Sequence, residues 1–101
     1  METTEIKDKM DLSVILPIKS ASAKRFDELF HASILSLQGQ VVPFEELIIV
    51  HTDETQLVEF LDGYDFSGMN VNRVVWTNEP NFGSQVNFGI ENAKTKWVTV
   101  L

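Results

Sequence analysis

Residues 81–93 read Asn-Phe-Gly-Ser-Gln-Val-Asn-Phe-Gly-Ile-Glu-Asn-Ala, a polar loop running into helical spacing. Asn81, Gly83 and Ser84 stand at the start of that helix. Backbone N–H groups there lack intrahelical acceptors and carry partial positive charge, so they suit a phosphate or another anion. Gly83 would let the backbone approach such a ligand closely. The same residues also read as an N-cap and a turn, the commoner use of Asn before a helix. Asn87 and Gly89 fall within the helix, where Gly costs about 1 kcal/mol relative to Ala. Two reasons for Gly89 suggest themselves: close packing on a sheet, or room for Asn87 to face a ligand.

Two other places carry candidate chemistry. Pro17, Ile18 and Lys19 follow the apolar run at residues 12–17, where Lys19 is either a phosphate contact or a solvated cation. His51 and Asp53 close the apolar run at residues 46–51. The Asp53 carboxylate is a strong acceptor for a base or a ribose hydroxyl. With Gln56 three residues later it also reads as the N-cap of a capping box. A lone His is weak evidence for catalysis or metal binding, and His31 lies among apolar helical residues, where it reads as structural. No His-x-x-x-His spacing is present, so a zinc site is not expected. Glu45 and Glu46 precede the second strand on the face away from the cleft, and do not read as a glycosidase pair, whose carboxyls must flank one bond. Trp76 and Trp97 read as core or edge packing rather than sugar platforms. Neither Gly-x-x-x-x-Gly-Lys nor Gly-x-Gly-x-x-Gly occurs, which weighs against an NTPase or a dehydrogenase.

The elements that must position these residues alternate in period. Strands are expected at residues 12–17, 46–51, 71–77 and 97–101, the last reading as buried. Between them lie helical spacings. Phe26, Leu29, Phe30, Ser33, Ile34 and Leu37 form the first face, stopped by Gly39. Leu57, Val58, Phe60 and Leu61 form the second, stopped by Gly63, and Phe82, Val86, Ile90 and Ala93 the third. This βαβαβαβ order predicts an α/β fold with a mostly parallel sheet and helices on its faces. Ligands bind such sheets beyond the carboxyl ends of the strands. The polar start, residues 1–11, reads as a flexible arm before one domain spanning residues 12–101.

Composition narrows the partners. The 101-residue chain has 8 Lys and Arg against 15 Asp and Glu, a formal charge of -7. That disfavours nucleic acid or an anionic membrane surface, which need clustered cations. A single nucleotide needs only a few local amides. There is no cysteine, which fits a reducing, cytoplasmic setting. No apolar run approaches the ~18 residues that span a bilayer, and the start lacks the apolar core of a signal peptide.

The segments Ser-Val-Ile-Leu-Pro (13–17), Ser-Ile-Leu-Ser-Leu-Gln (33–38), Glu-Leu-Ile-Ile-Val (46–50) and residues 81–101 together resemble the N-terminal half of a family 2 glycosyltransferase with the GT-A fold. The resemblance covers roughly residues 12–101. It implies a Rossmann-like half-domain that binds a nucleotide-diphosphate sugar and passes the sugar to an unknown acceptor with inversion. It implies a nucleotide-sugar site drawn from Pro17, Ile18, Lys19, His51, Asp53, Asn81, Gly83, Ser84 and Asn87. In that family an Asp-x-Asp motif holding Mn²⁺ or Mg²⁺ follows the fourth strand. The chain is therefore expected to be a fragment that stops just before the metal ligands, lacks the catalytic base and is inactive alone. His51 and Thr52 stand where the family usually has acids, Ile18 to Ser20 differ after the first strand, and Val86 replaces a common Arg. These departures leave the base of the nucleotide open. The alternative from another class is a non-catalytic α/β module that forms homo-oligomers through an exposed sheet edge. A nucleotidyltransferase ranks lower, because no basic, Gly-rich loop follows the first strand.

Overall fold

The computed structural model describes residues 10–39 and 44–101; most of the expected N-terminal arm lies outside them. The order is β1 (Met10–Ile18), α1 (Phe26–Gln38), β2 (Phe44–Thr52), α2 (Thr55–Asp62), β3 (Val71–Trp76), α3 (Phe82–Asn92) and β4 (Trp97–Val100). All three strand pairings are parallel, in the spatial order β3-β2-β1-β4. The fold is therefore the expected α/β, Rossmann-like arrangement. Met10 and Asp11, expected in the arm, belong to β1.

The first two crossovers step one strand at a time, from β1 to β2 to β3. The third returns past β2 and β1 to the opposite edge. The order thus reverses between β1 and β4, which makes their carboxyl ends the topological switch point.

Helices cover both faces. On one face Val14, Ile18, Leu47 and Ile49 of the sheet pack with Phe30, Ile34 and Leu37 of α1 and Leu57 and Leu61 of α2. On the other face Ile15, Ile48 and Val50 pack with Val74, Trp76, Phe88 and Ala93. The central strands β1 and β2 are apolar toward both layers, as a doubly covered parallel strand requires. Gly39 and Gly63 end the first two helices as expected.

Four expectations shift. Leu29 is 59% exposed, so the buried stripe of α1 is Phe30, Ile34 and Leu37. In α3 the buried residues are Gln85 and Gly89, while Phe82 and Ile90 are exposed. The aliphatic spacing there marked the neighbouring face, because α3 seats itself where its smallest residue lets it come closest. At Gly89 an added Cβ would lie 2.7 Å from Ile15 Cγ2 and 3.1 Å from Val50 Cγ2. Close packing therefore explains this glycine. β4, expected to be buried, is exposed along its whole length: it packs on β1, and among the described residues no helix packs closely over it as α3 does over β3, the other edge. Finally, α2 is preceded by Glu54 rather than capped by Asp53, and no side chain caps it. β2 runs on through Thr52, leaving Asp53 in the turn, exposed. Among the described residues, no helix is long and apolar enough to cross a membrane.

Candidate functional site

The switch point holds an open cleft of about 470 Å³. It lies past the carboxyl end of β1. The Leu101 N–H donates to the Ile15 carbonyl at 2.9 Å, so Ile15 turns its backbone groups toward β4. In a parallel ladder every second residue faces the same neighbour. The next residue facing that way is Pro17, which has no N–H to offer. The ladder of β1 with β4 runs from Leu12 to Ile15, and the cleft opens beside Pro17.

One wall is the end of β1 and the following loop, with Leu16, Pro17, Ile18, Lys19, Ser20 and Ser22. The second is the N-terminal part of α1, with Phe26, Leu29, Phe30 and Ser33. The third is the start of α3, with Phe82 and Gln85. Among the described residues, Lys19 is the only charged one lining it, in a chain of net charge -7. The cleft therefore offers an apolar floor with hydroxyls and one ammonium group at its rim.

Gln85 holds the α3 wall. Its side chain is fully buried. Its Nε2 donates to the Ile18 carbonyl at 3.1 Å and to the Val50 carbonyl at 3.0 Å, at the carboxyl ends of β1 and β2. Its Oε1 accepts from the Asn81 N–H at 3.3 Å. Asn81 Oδ1 in turn accepts from the Ser84 N–H at 2.9 Å. Asn81 is thus the N-cap of α3, one of the two uses expected for it. A Cβ added at Gly83 would meet only Asn81 Oδ1 at 3.5 Å, an ordinary contact. Packing explains Gly89 but does not require glycine at 83.

A second set of bonds fixes the β1–α1 loop. Glu54 accepts from Ser20 Oγ at 2.6 Å and from the Ala21 N–H at 2.7 Å. Ser20 and then Ala21 hold its carboxyl below the usual carboxylate range, against a weaker opposing effect of burial. Thr52 Oγ1 donates to the Lys19 carbonyl at 2.7 Å. The start of the loop is therefore tied to the end of β2.

The structure gathers only part of the expected site. Pro17, Ile18 and Lys19 line the cleft, and Asn81 joins it through Gln85. Gly83 and Ser84 sit in the first turn of α3 beside it. His51 is buried, its Nδ1–H donating to the Thr52 carbonyl at 2.8 Å, and does not line the cleft. Asp53 and Asn87 are exposed and also lie outside its lining. His31 pairs with the Tyr64 hydroxyl at 2.7 Å, a structural contact. Glu46 is buried near the amino end of β2, where it accepts from Ser13 Oγ and the Lys94 N–H. Trp76 packs on Phe88, whereas Trp97 is exposed on β4.

Gln85 and Glu54 escaped the sequence reading. Gln85 lies four residues before Gly89 and so shares its helical face, which was a usable signal. Nothing local distinguished Glu54 from Asp53 as the acid that reaches the loop.

Set beside known families, curated proteins and solved structures, the chain finds a match in none of the three. Among the described residues, no group of three or more His, Cys, Asp or Glu is placed to hold a metal ion.

Proposed function

We propose that this chain is the nucleotide-sugar-binding half of a glycosyltransferase that moves a sugar to an unknown acceptor with inversion. One observation carries the reading: an open cleft at the switch point, beside Pro17 at the end of β1 and next to the N-terminus of α3. Ligands of open α/β sheets occupy this place. The four-segment resemblance supplies the ligand class. Lys19 and the N–H groups of Phe82 and Gly83, ahead of the Asn81 cap on Ser84, are the groups suited to a diphosphate. Gly83, which packing does not require, keeps the backbone open to it. The apolar floor suits a flat ring more than a charged one.

The Mn²⁺ or Mg²⁺ expected from the resemblance has no ligand set among the described residues. No step through a metal is assigned to them, and none is named as the catalytic base. The revised site consists of Pro17, Ile18, Lys19, Asn81, Gly83 and Ser84, with Phe82 and Gln85 added. His51, Asp53 and Asn87 leave it.

The test is a nitrogen-15 NMR titration with UDP, GDP and CMP, each with and without Mn²⁺. Shifts confined to residues 17–20 and 81–85 for one nucleotide support the donor site and name the base. A folded sample that shifts with none of them sinks it. A second reading, a non-catalytic interaction module, is favoured by the exposed apolar strand β4.

A further inference from the structure

Residues 18–21, at the end of β1 and in the loop after it, are held from other parts of the fold. Gln85 of α3 donates to the Ile18 carbonyl at 3.1 Å, and Thr52 of β2 donates to the Lys19 carbonyl at 2.7 Å. Glu54, just before α2, accepts from Ser20 Oγ at 2.6 Å and from the Ala21 N–H at 2.7 Å. The Ser22 N–H closes the turn on Ser20 Oγ at 3.0 Å. Lys19 thus has a pinned backbone and an exposed side chain, and among the described residues it enters no ion pair.

Glu54 bonds to the residue next to the cleft's cation without lining the cleft itself. Its carboxylate has two opposing effects on an anion bound at Lys19. The negative charge repels that anion, an effect that solvent and salt screen at an exposed site. The bonds to Ser20 and Ala21 fix the loop beforehand, so that less ordering is needed when the anion arrives. Both carboxylate oxygens are engaged by the loop, which makes the second effect the larger.

We propose that Glu54 and Thr52 are positioning residues of the anion site, holding the loop that carries Lys19 in the shape that receives a diphosphate. This role rests on the donor-site reading for its ligand, and adds to that site two residues that do not line the cleft. A neighbouring acid sets the contrast. Asp53 carries the same charge one residue earlier and stands exposed in the turn, while the bonds to the loop go to Glu54. If Glu54 acted only through its charge, neutralising either acid would strengthen anion binding. If it holds the loop, neutralising Glu54 weakens binding and neutralising Asp53 does not.

The test is a nitrogen-15 NMR titration of the chain with inorganic pyrophosphate, without metal, followed by UDP, GDP and CMP. Pyrophosphate shifts the amides of residues 18–21, and Lys19→Ala abolishes that response. Glu54→Gln weakens pyrophosphate binding about three- to tenfold, although it removes a negative charge. Asp53→Asn leaves binding unchanged or slightly tighter. Thr52→Val weakens it about threefold, and Thr52→Ser, which keeps the hydroxyl, restores it. The α3 amides in each spectrum check that the variants stay folded. Pyrophosphate that binds Glu54→Gln as tightly as the parent overturns the proposal, as does a parent chain whose residues 18–21 do not respond to it. Shifts that persist in Lys19→Ala put the anion elsewhere and overturn it too. A nucleotide that binds regardless of Glu54 keeps the donor site and loses this role. Pyrophosphate binding that follows Glu54, with no response to any nucleotide, keeps this role and loses the donor site.

Discussion

The two helical layers use opposite means to hold the same sheet. The α1–α2 layer is thick and aromatic: the Phe30 ring lies 4.9 Å from Tyr64 and 5.2 Å from Phe60, centroid to centroid. The α3 layer is thin, pressed down at Gly89 and pinned by a buried glutamine. The first is stabilised by apolar area, which tolerates some movement. The second is stabilised by closeness and by directed bonds, which do not. The cleft lies where the two layers meet past the end of β1, so one wall is built each way.

Removing bulk from the thick layer has the largest expected effect. Phe30→Ala should cost about 3–5 kcal/mol, a large share of the about 5–15 kcal/mol of a domain this size. Urea unfolding would measure it. A loss under about 1 kcal/mol would mean that Phe26, Phe60 and Tyr64 refill the space, and that the layer is not the main source of stability.

The thin layer should respond less in size but more sharply to chemistry. Gln85→Leu keeps the volume but strips a donor from the Ile18 and Val50 carbonyls, and should cost about 2–3 kcal/mol. Because those carbonyls end β1 and β2, NMR shifts should spread to residues 17–19 and 50–52. Changes confined to α3 would show that the side chain does not couple the helix to the strand ends. Gly89→Ala runs the other way, adding one methyl group. Overpacking against Ile15 costs about 1–3 kcal/mol, and the gain in helix propensity returns about 1 kcal/mol. A net loss of up to about 2 kcal/mol is expected, whereas a gain would show that α3 can lift off freely.

This contrast also explains which parts were legible in the sequence. The strands of the sheet were readable because β1 and β2 are buried on both faces and so appear as unbroken apolar runs. The aromatic layer was readable because area-driven packing leaves a periodic stripe, wrong only at Leu29. The α3 layer was misread for the same reason. A helix docked through Gly89 and Gln85 presents small and polar residues to the sheet, and its aliphatic residues mark the wrong face. The lining of the cleft divides in the same way. Pro17 to Lys19 and Asn81 to Ser84 followed from the rule that ligands gather at strand ends. His51 and Asp53 fall outside the cleft's lining because β2 runs through Thr52, which carries His51 into the protein and leaves Asp53 in the turn. The exposure of β4 was not legible, since an apolar edge strand and an apolar central strand read alike.

Two smaller effects sharpen the comparison at the cleft itself. Asn81→Ala removes the acceptor for the Ser84 N–H and should cost about 1 kcal/mol, read as a fall in Tm of about 4–8 °C. Asn81→Asp should restore the cap, since either side chain accepts that bond. Failure of the rescue would mean that Asn81 matters through its contact with Gln85 instead.

The last test concerns the loop on the α1–α2 side. Folding lowers the Glu54 pKa from its ordinary value of 4.5, because Ser20 and Ala21 donate to the carboxylate. A group whose folded pKa is depressed stabilises the fold above its unfolded pKa and loses that contribution as pH falls through the folded one. The β1–α1 loop should therefore be held firmly at neutral pH and released in acid, below pH 4.5. Carbon-13 NMR of the Glu54 carboxyl, read beside the Ser20 and Ala21 amide signals, follows both events in one titration. In Glu54→Gln the acid transition at Ser20 and Ala21 should vanish, while α3 signals stay as in the parent chain. If the Ala21 amide moves with another carboxylate instead, the loop is held from elsewhere. The Lys19 rim of the cleft would then owe its place to the Thr52 hydroxyl alone.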